Sequence, residues 1–153
     1  MSVIGGIAKA LRGAVGGEAK EGAKFPVAKT EAEWKQELPH EAFCVLREHA
    51  TERAGTSPLD KEHRKGTFSC AGCGQPLFES GAKFNSGTGW PSFFQPIAGA
   101  TQSATDRKFL MTRTEIHCSR CGGHLGHVFE DGPAPTGQRY CMNGVAMKFV
   151  AGE

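Results

Sequence analysis

The chain is 153 residues long, and its 18 lysine and arginine residues nearly balance its 16 aspartate and glutamate residues. The length predicts a single domain with its own core, and the small charge excess, spread along the chain, argues against nucleic-acid binding. No apolar run reaches the about 18 residues of a membrane-spanning helix, so no membrane segment is expected. Six cysteines are too few for a disulfide scaffold, and their pairing predicts metal binding or catalysis in a reducing compartment, the cytoplasm.

The first residues are rich in small side chains and can bury little apolar surface. They predict a flexible arm over residues 1–29, followed by the domain at 30–153. The segment lacks the continuous apolar core of a secretory signal, so no such signal is expected. An amphipathic or organelle-targeting stretch is the alternative to a flexible arm.

Two short helices are predicted next. Thr30 followed by Glu33 is typical of a capping box, and Trp34 and Leu38 share one face of a helix that Pro39 ends. The segment HEAFCVLREHA forms the second helix, and at about 100° per residue its side chains divide into two arcs. The apolar arc holds Ala42, Phe43, Val45 and Leu46, and the polar arc holds His40, Cys44, Arg47 and Glu48.

From Thr67 onward the sequence changes to short apolar or β-branched runs separated by turn residues, after the polar connection TERAGTSPLDKEHRKG. This texture predicts an antiparallel, mainly β domain, and the lack of alternating long helices excludes a Rossmann-type fold. The predicted strands are TFSC, PLF, SFF, KFLMTRTEI, GHVF, RYCMN and AMKFV.

Four cysteines form two CxxC pairs, Cys70 with Cys73 and Cys118 with Cys121. Two such turns can present four thiolates tetrahedrally to one zinc ion, and four protein ligands leave no open position for catalysis. The sequence therefore predicts one structural zinc ion. Redox-active dithiols or four reduced core cysteines are the alternatives, and a thioredoxin-type dithiol would be expected in a βαβ context that is missing here.

Cys141 stands apart from these pairs, within the stretch RYCMN. On a strand, Arg139, Cys141 and Asn143 would face one side, which brings a cation and an amide beside the sulfur. A nearby cation favours the nucleophilic thiolate. A buried structural cysteine is the alternative, although it would prefer apolar neighbours.

Two further motifs carry polar or aromatic groups of interest. His124 and His127 lie three residues apart, ahead of Asp131, and are suited to acid–base or hydrogen-bonding roles. Trp90 follows a Gly-rich turn that could expose its indole as the wall of a small pocket. Surface histidines without a role and a core tryptophan are the alternatives.

Together these motifs resemble the methionine-R-sulfoxide reductases, the MsrB family. The resemblance rests on the two CxxC pairs and on SGTGWPSFFQPI, HLGHVFEDGPAPTGQRYCMN and AMKF, and it runs from about Thr30 to Val150. It implies a mainly β, barrel-like fold of two antiparallel sheets with short N-terminal helices. It also implies thiol-dependent reduction of methionine-R-sulfoxide in oxidised proteins, with thioredoxin as reductant, by a protein expected to be a monomer.

The resemblance assigns a role to each matching position. Cys141 would be the nucleophile, and Trp90 the wall that receives the substrate methyl group. His124, His127 and Asn143 would surround the sulfoxide oxygen, with Arg139, Asp131 and Phe129 supporting the substrate site. Cys70, Cys73, Cys118 and Cys121 match the zinc ligands of the family.

The chain departs from the family pattern in its resolving cysteine, which many members carry two residues before the tryptophan. Here that position is Thr88. Besides Cys141, Cys44 is the cysteine left outside the zinc set, so we expect it to form a disulfide with Cys141, a step for which the helix or its connecting loop would move. Direct reduction of Cys141 by an external thiol is the competing hypothesis.

A second departure follows Asn143, where Gly144 and Val145 replace the small polar residues common in the family. It bears on strand packing and substrate preference. Two other functions are the alternatives: a non-catalytic zinc-ribbon-like binding module, which leaves Cys141 without a purpose, and a catalytically silent relative.

Overall fold

The computed structural model describes residues 25–108 and 110–152. Helix α1 spans Glu31–Glu37 and helix α2 spans His40–Glu48, and three short 3-10 turns cover Pro58–Lys61, Ser80–Ala82 and Gly144–Ala146. In this described part of the chain, nine strands follow the helices. They are β1 (Gly66–Cys70), β2 (Pro76–Glu79), β3 (Lys83–Phe84), β4 (Ser92–Phe93), β5 (Thr101–Lys108), β6 (Met111–Cys118), β7 (His124–Phe129), β8 (Arg139–Met142) and β9 (Met147–Ala151).

Both helices form as their sequences predict. The Thr30 side chain accepts a hydrogen bond from the Glu33 N–H, and the Glu33 carboxylate accepts one from the Thr30 N–H, which completes the capping box. Helix α2 buries the four residues of its predicted apolar arc. Cys44 lies on the other side of α2 and is partly exposed, as the helical wheel predicts.

The strands form two antiparallel sheets. The smaller has the order β2-β1-β9, and the larger has the order β3-β4-β8-β7-β6-β5. Phe68 of the smaller sheet contacts Phe93 of the larger one, with ring centroids 5.0 Å apart. Phe78 stacks on Phe93 at 4.2 Å, so these aromatic rings form the core between the sheets. The predicted fold class, mainly β with two antiparallel sheets and short N-terminal helices, is confirmed.

One strand prediction is wrong. The run KFLMTRTEI is not a single strand, because β5 ends at Lys108 and β6 begins at Met111, and Leu110 lies in the turn with a φ of 63°. Strand β5 itself, TQSATDRK, is missing from the predicted strands. Most of its residues are exposed, so it shows no apolar alternation, and the strand is held by its pairing with β6.

The residues just before α1 pack on the domain. The Val27 N–H donates to the Arg120 carbonyl, and the Phe25 ring lies edge-on to His117 with centroids 5.8 Å apart. These contacts attach the last five residues of the predicted arm, and residues 1–24 of that arm lie outside the described part of the chain. Among the described residues, no helix is long and apolar enough to cross a membrane.

Candidate active site and metal centre

The four paired cysteines converge on one point. Cys70 Sγ lies 3.7 Å from Cys121 Sγ, and Cys73 Sγ lies 3.6 Å from Cys118 Sγ. All four sulfur atoms lie within 4.8 Å of one another. Four thiolates at about 2.3 Å from a tetrahedrally coordinated zinc ion would be about 3.8 Å apart. The sulfur atoms therefore fit a metal ion, and their spacing is compatible with zinc.

Surrounding donors favour the thiolate form of these sulfurs. The Gly72 N–H donates to Cys70 Sγ at 3.3 Å and the Arg120 N–H donates to Cys118 Sγ at 3.4 Å. Cys70 ends β1 of the smaller sheet and Cys118 ends β6 of the larger sheet. A metal ion at this point would therefore join the two sheets.

Cys141 lies in the middle of a polar row that crosses the larger sheet. Ser92 of β4 is directly opposite Cys141 of β8, Cys141 is opposite His127 of β7, and His127 is opposite Glu115 of β6. Directly opposite residues project from the same face of a sheet. The strand pairing thus brings a thiol, a hydroxyl, an imidazole and a carboxylate to one face.

The environment of Cys141 acts on its pKa in both directions. Burial raises the pKa of the thiol, whereas the Arg139 guanidinium and the nearby hydroxyl groups of Thr88 and Ser92 act to lower it. The pKa remains above the ordinary cysteine value because burial dominates. Hydroxyl contacts of 2.8 Å also join Thr88 and Ser92 to Ser86. At neutral pH the sulfur is therefore mainly a thiol with donors in place for the thiolate.

His124 is buried, with 2% of its surface exposed, and is held by a carboxylate. Its Nδ1 lies 2.8 Å from Glu115 Oε2, while Glu115 Oε1 lies 3.1 Å from His117 Nδ1. Burial acts to raise the pKa of Glu115, but the hydrogen bonds from both histidines outweigh it and lower the pKa to about 2. The ionised Glu115 fixes the Nδ1–H tautomer of His124. The Nε2 atom of His124 has no hydrogen-bond partner among the described residues.

His127 is held by a different carboxylate. Its Nε2 lies 2.8 Å from Asp106 Oδ2, and its ring meets the His124 ring edge-on with centroids 5.4 Å apart. Burial lowers the pKa of His127, although Asp106 acts to raise it. The hydrogen bond from His127 lowers the pKa of Asp106 in turn. His127 is therefore oriented by an ionised carboxylate and is mainly neutral at pH 7.

His49 stacks on His124, with ring centroids 4.8 Å apart and planes inclined by 18°. His49, Glu115 and His124 also have ligand atoms within 4.8 Å of one another. However, imidazole lone pairs lie in the ring planes, and two nearly parallel stacked planes do not converge on one ion. The geometry gives His49 a packing role against His124.

Trp90 and Asn143 both bond to Glu52. The Trp90 Nε1–H donates to the Glu52 carbonyl at 3.0 Å, and the Asn143 Oδ1 accepts from the Glu52 N–H at 2.8 Å. The Asn143 amide nitrogen donates to the Leu125 carbonyl at 2.9 Å, so both ends of the buried amide bind backbone groups. The Pro91 carbonyl, next to Trp90, accepts from the Met142 N–H and fixes the tryptophan loop to β8.

Arg139 is oriented by two of the predicted residues. Its Nε and one terminal nitrogen donate to the two carboxylate oxygens of Asp131 at 2.9 and 3.1 Å. The guanidinium lies 4.5 Å from the centre of the Phe129 ring. This paired hydrogen bonding holds the cation on the face that carries Cys141.

The contacts of Cys44 are separate from those of Cys141. Its sulfur is 3.6 Å from His40 Nε2, one helical turn earlier on α2. Desolvation and the neighbouring Glu48 raise its pKa. No contact joins Cys44 to Cys141 within the described residues, so the sequence-predicted disulfide needs a rearrangement that this structure does not contain.

Sequence reasoning missed four residues that hold the site together: His49, Glu52, Asp106 and Glu115. Asp106 lies in a polar strand segment, and the sequence distance between the two carboxylates and the histidines gives no sign of contact. The available signal was Glu115, which lies beside Ile116 in the buried end of β6, because a buried carboxylate requires polar partners.

Comparisons with known proteins agree on one family. The family model described as SelR domain matches residues 38–151. Proteins named peptide methionine sulfoxide reductase MsrB are similar over most of the chain. The one from Leptospira interrogans is 52% identical over 126 residues, covering 82% of this chain and 96% of that protein. The one from Thiobacillus denitrificans is 53% identical over 122 residues, covering 79% of this chain and 92% of that protein. The one from Methanosarcina barkeri is 51% identical over 132 residues, covering 86% of this chain and 93% of that protein.

Proposed function

Since this chain belongs to the SelR domain family and is a peptide methionine sulfoxide reductase of the MsrB type, we propose that Cys141 attacks the sulfur of methionine-R-sulfoxide in oxidised proteins. The oxygen moves from the substrate sulfur to the Cys141 sulfur. The substrate gains two electrons and is released as methionine, and Cys141 loses two electrons and becomes a sulfenic acid.

The reaction needs a proton at the sulfoxide oxygen, and the Cys141 thiol supplies it. His124 Nε2 takes this proton, and the resulting imidazolium is stabilised by Glu115 at Nδ1. The imidazolium then donates to the sulfoxide oxygen, which makes the sulfur electrophilic as the thiolate attacks. His127, oriented by Asp106, and Asn143 complete the surroundings of that oxygen.

Stereochemistry follows from three different neighbours. The Trp90 ring provides an apolar wall for the methyl group, and the histidines provide donors for the oxygen. Arg139, held by Asp131 beside Phe129, binds the chain of the substrate. A site that distinguishes methyl, oxygen and chain can select one epimer of a chiral sulfur.

The observation that supports this proposal most directly is the polar row across the larger sheet, in which Cys141 stands between Ser92 and His127. The test is incubation with each pure sulfoxide epimer and dithiothreitol. We expect loss of the R epimer only, and none with Cys141→Ser. Consumption of both epimers, or an active Cys141→Ser variant, would overturn the proposal.

For regeneration, we propose the disulfide between Cys141 and Cys44, which releases water and is reduced by thioredoxin. Because the two thiols have separate contacts, we expect α2 or its connecting loop to shift so that the Cα atoms come within about 4.4 to 6.8 Å. The separation of those contacts favours a second candidate, direct reduction of the sulfenic acid by an external thiol.

A Cys44→Ser variant distinguishes the two routes. The disulfide route predicts that the variant releases one equivalent of methionine and then stalls with thioredoxin. Full thioredoxin-dependent turnover by the variant excludes the disulfide route and establishes direct reduction.

For the metal centre, we propose one structural zinc ion held by Cys70, Cys73, Cys118 and Cys121, with no part in the reaction. Residues 30–153 would form the reductase domain, and six cysteines that form no disulfide suit the reducing cytoplasm. A non-catalytic zinc-ribbon-like module has less support because it gives the polar row no purpose.

A further inference from the structure

Glu52 lies in the connection between α2 and the first 3-10 turn, and all of its polar groups face the candidate site. Its backbone N–H donates to Asn143 Oδ1 at 2.8 Å and its carbonyl accepts from Trp90 Nε1 at 3.0 Å. Its two carboxylate oxygens accept from the Gly144 and Val145 N–H groups, each at 2.9 Å. One residue thus contacts both the tryptophan wall and the segment that follows Cys141.

The carboxylate of Glu52 caps a turn that lacks its own cap. The first N–H groups of a helical turn have no partner within the turn. Asn143 is the residue before the turn Gly144–Ala146, and its side chain makes no capping bond because its amide is engaged elsewhere. Glu52 supplies the missing acceptors from a distant part of the chain, which is consistent with the preference of anions for such positions.

The same contact explains why a residue without a side chain is needed directly after Asn143. A Cβ atom at Gly144 would overlap the Ser57 hydroxyl, which belongs to the same connection as Glu52. Glycine at this position therefore lets the connection approach the turn closely enough for both N–H groups to reach the carboxylate. Gly144 and Val145, which replace the polar residues common in the family, thus both bind the Glu52 carboxylate through their backbone N–H groups.

We propose that Glu52 is a positioning residue of the reductase, which holds Trp90 and Asn143 in register with Cys141. The proposal rests on the proposed function and deepens it. The carboxylate anchors Glu52 to the turn after Cys141, and the anchored backbone then fixes the indole through its carbonyl and the amide through its N–H. Without the anchor, the tryptophan wall is free to move relative to the nucleophile.

The test compares Glu52→Gln with Glu31→Gln, a control at an exposed position on α1. A glutamine oxygen can replace one acceptor, but its NH₂ group would face the second N–H. We expect kcat/KM for the R epimer to fall about tenfold, mainly through KM, with weaker discrimination against the S epimer, which corresponds to the loss of one hydrogen bond. Glu31→Gln should match the wild-type protein.

A spectroscopic readout separates positioning from general destabilisation. The chain has two tryptophans, so an NMR spectrum contains two indole N–H signals, which Trp90→Phe assigns. In Glu52→Gln we expect the Trp90 signal to shift or broaden and the buried Trp34 signal to stay. The rate of Cys141 alkylation by iodoacetamide should stay within about twofold of wild type, because small electrophiles do not use the tryptophan wall.

A second variant approaches the contact from its other side. Val145→Pro removes one N–H donor to Glu52 at a position early in a helical turn, where proline is tolerated. It should give the same KM and indole effects. An unchanged Trp90 signal and unchanged KM in both folded variants would overturn the proposal. If the wild-type protein reduces neither epimer, the proposed function fails, whereas the indole signals still decide whether Glu52 holds Trp90.

Discussion

At the scale of single residues, the reactivity of Cys141 depends on a competition between burial and charge. Burial raises the pKa of the thiol, and Arg139 with two hydroxyl groups acts against it. A resting thiol is suited to a reaction in which the sulfoxide oxygen must receive a proton. It also protects the sulfur from oxidation in the absence of substrate, since the thiolate is the form that oxidants attack.

The charge on Arg139 should be visible in the pH dependence of alkylation. In the wild-type protein we expect the iodoacetamide rate at Cys141 to rise with pH, with its midpoint above the ordinary cysteine value. Arg139→Met removes the cation that lowers the pKa, so the midpoint should move to still higher pH. Arg107→Met is the control, because alternation along β5 directs Arg107 away from the face of Asp106 and His127. A midpoint that is unchanged in Arg139→Met contradicts this account.

Thr88 offers a test of how near the tryptophan loop lies to the nucleophile. Its hydroxyl acts on the Cys141 sulfur, so a thiol at this position should be within reach. In Thr88→Cys we expect one equivalent of substrate to yield a disulfide between positions 88 and 141, detected by peptide mass mapping. A map in which Cys141 pairs with Cys44 instead would show that the loop is too distant or too rigid.

At the scale of elements, the β5–β6 hairpin orients both histidines. Asp106 of β5 holds His127, and Glu115 of β6 holds His124. The sequence does not reveal this role, because β5 is polar throughout and its pairing partner gives it structure. By contrast, α2 is fully predictable, since its apolar arc and its outward cysteine follow from helical periodicity alone.

Removing the Glu115 charge should cost stability in a pH-dependent way. Its pKa is lowered to about 2 in the folded protein, so its contribution is fully present above its unfolded pKa of about 4.5 and is lost as pH falls toward 2. Glu115→Gln should therefore reduce the free energy of unfolding at pH 7 by about 2 to 3 kcal/mol. Denaturant unfolding measures this difference, which should shrink below pH 4.5.

Glu130→Gln, at an exposed position after β7, is the matched control and should have little effect. If Glu115→Gln loses the same stability at pH 3 and pH 7, the loss comes from packing rather than from the charge of Glu115.

At the scale of the whole molecule, the cysteine cluster joins elements that are far apart in sequence. The CxxC spacing was sufficient to predict the cluster, because local turns determine each pair. The Cys141 position on a strand and its polar neighbour Arg139 were also predictable from alternation. The carboxylates behind the histidines, and Glu52 behind Trp90, were not, because long-range strand pairing and loop contacts bring them together.

Metal removal tests the joining role directly. With a strong chelator, or in Cys73→Ser, we expect loss of about one zinc ion per chain and loss of cooperative thermal unfolding, since the site connects β1 with β6. Metal analysis and calorimetry measure the two effects. A chelated protein that retains its melting temperature would show that the two sheets are held by their aromatic core alone. Cys44→Ser, outside the cluster, should retain the metal.

In the proposed reaction, Cys141 receives the oxygen of the R epimer. The most direct measurement is a single turnover without reductant, in the presence of dimedone to trap sulfenic acid, followed by peptide mass mapping. We predict one equivalent of methionine from the R epimer, none from the S epimer, and an oxidised product that includes Cys141, either as the dimedone adduct or as a disulfide. Methionine release with an unmodified Cys141 would contradict the account.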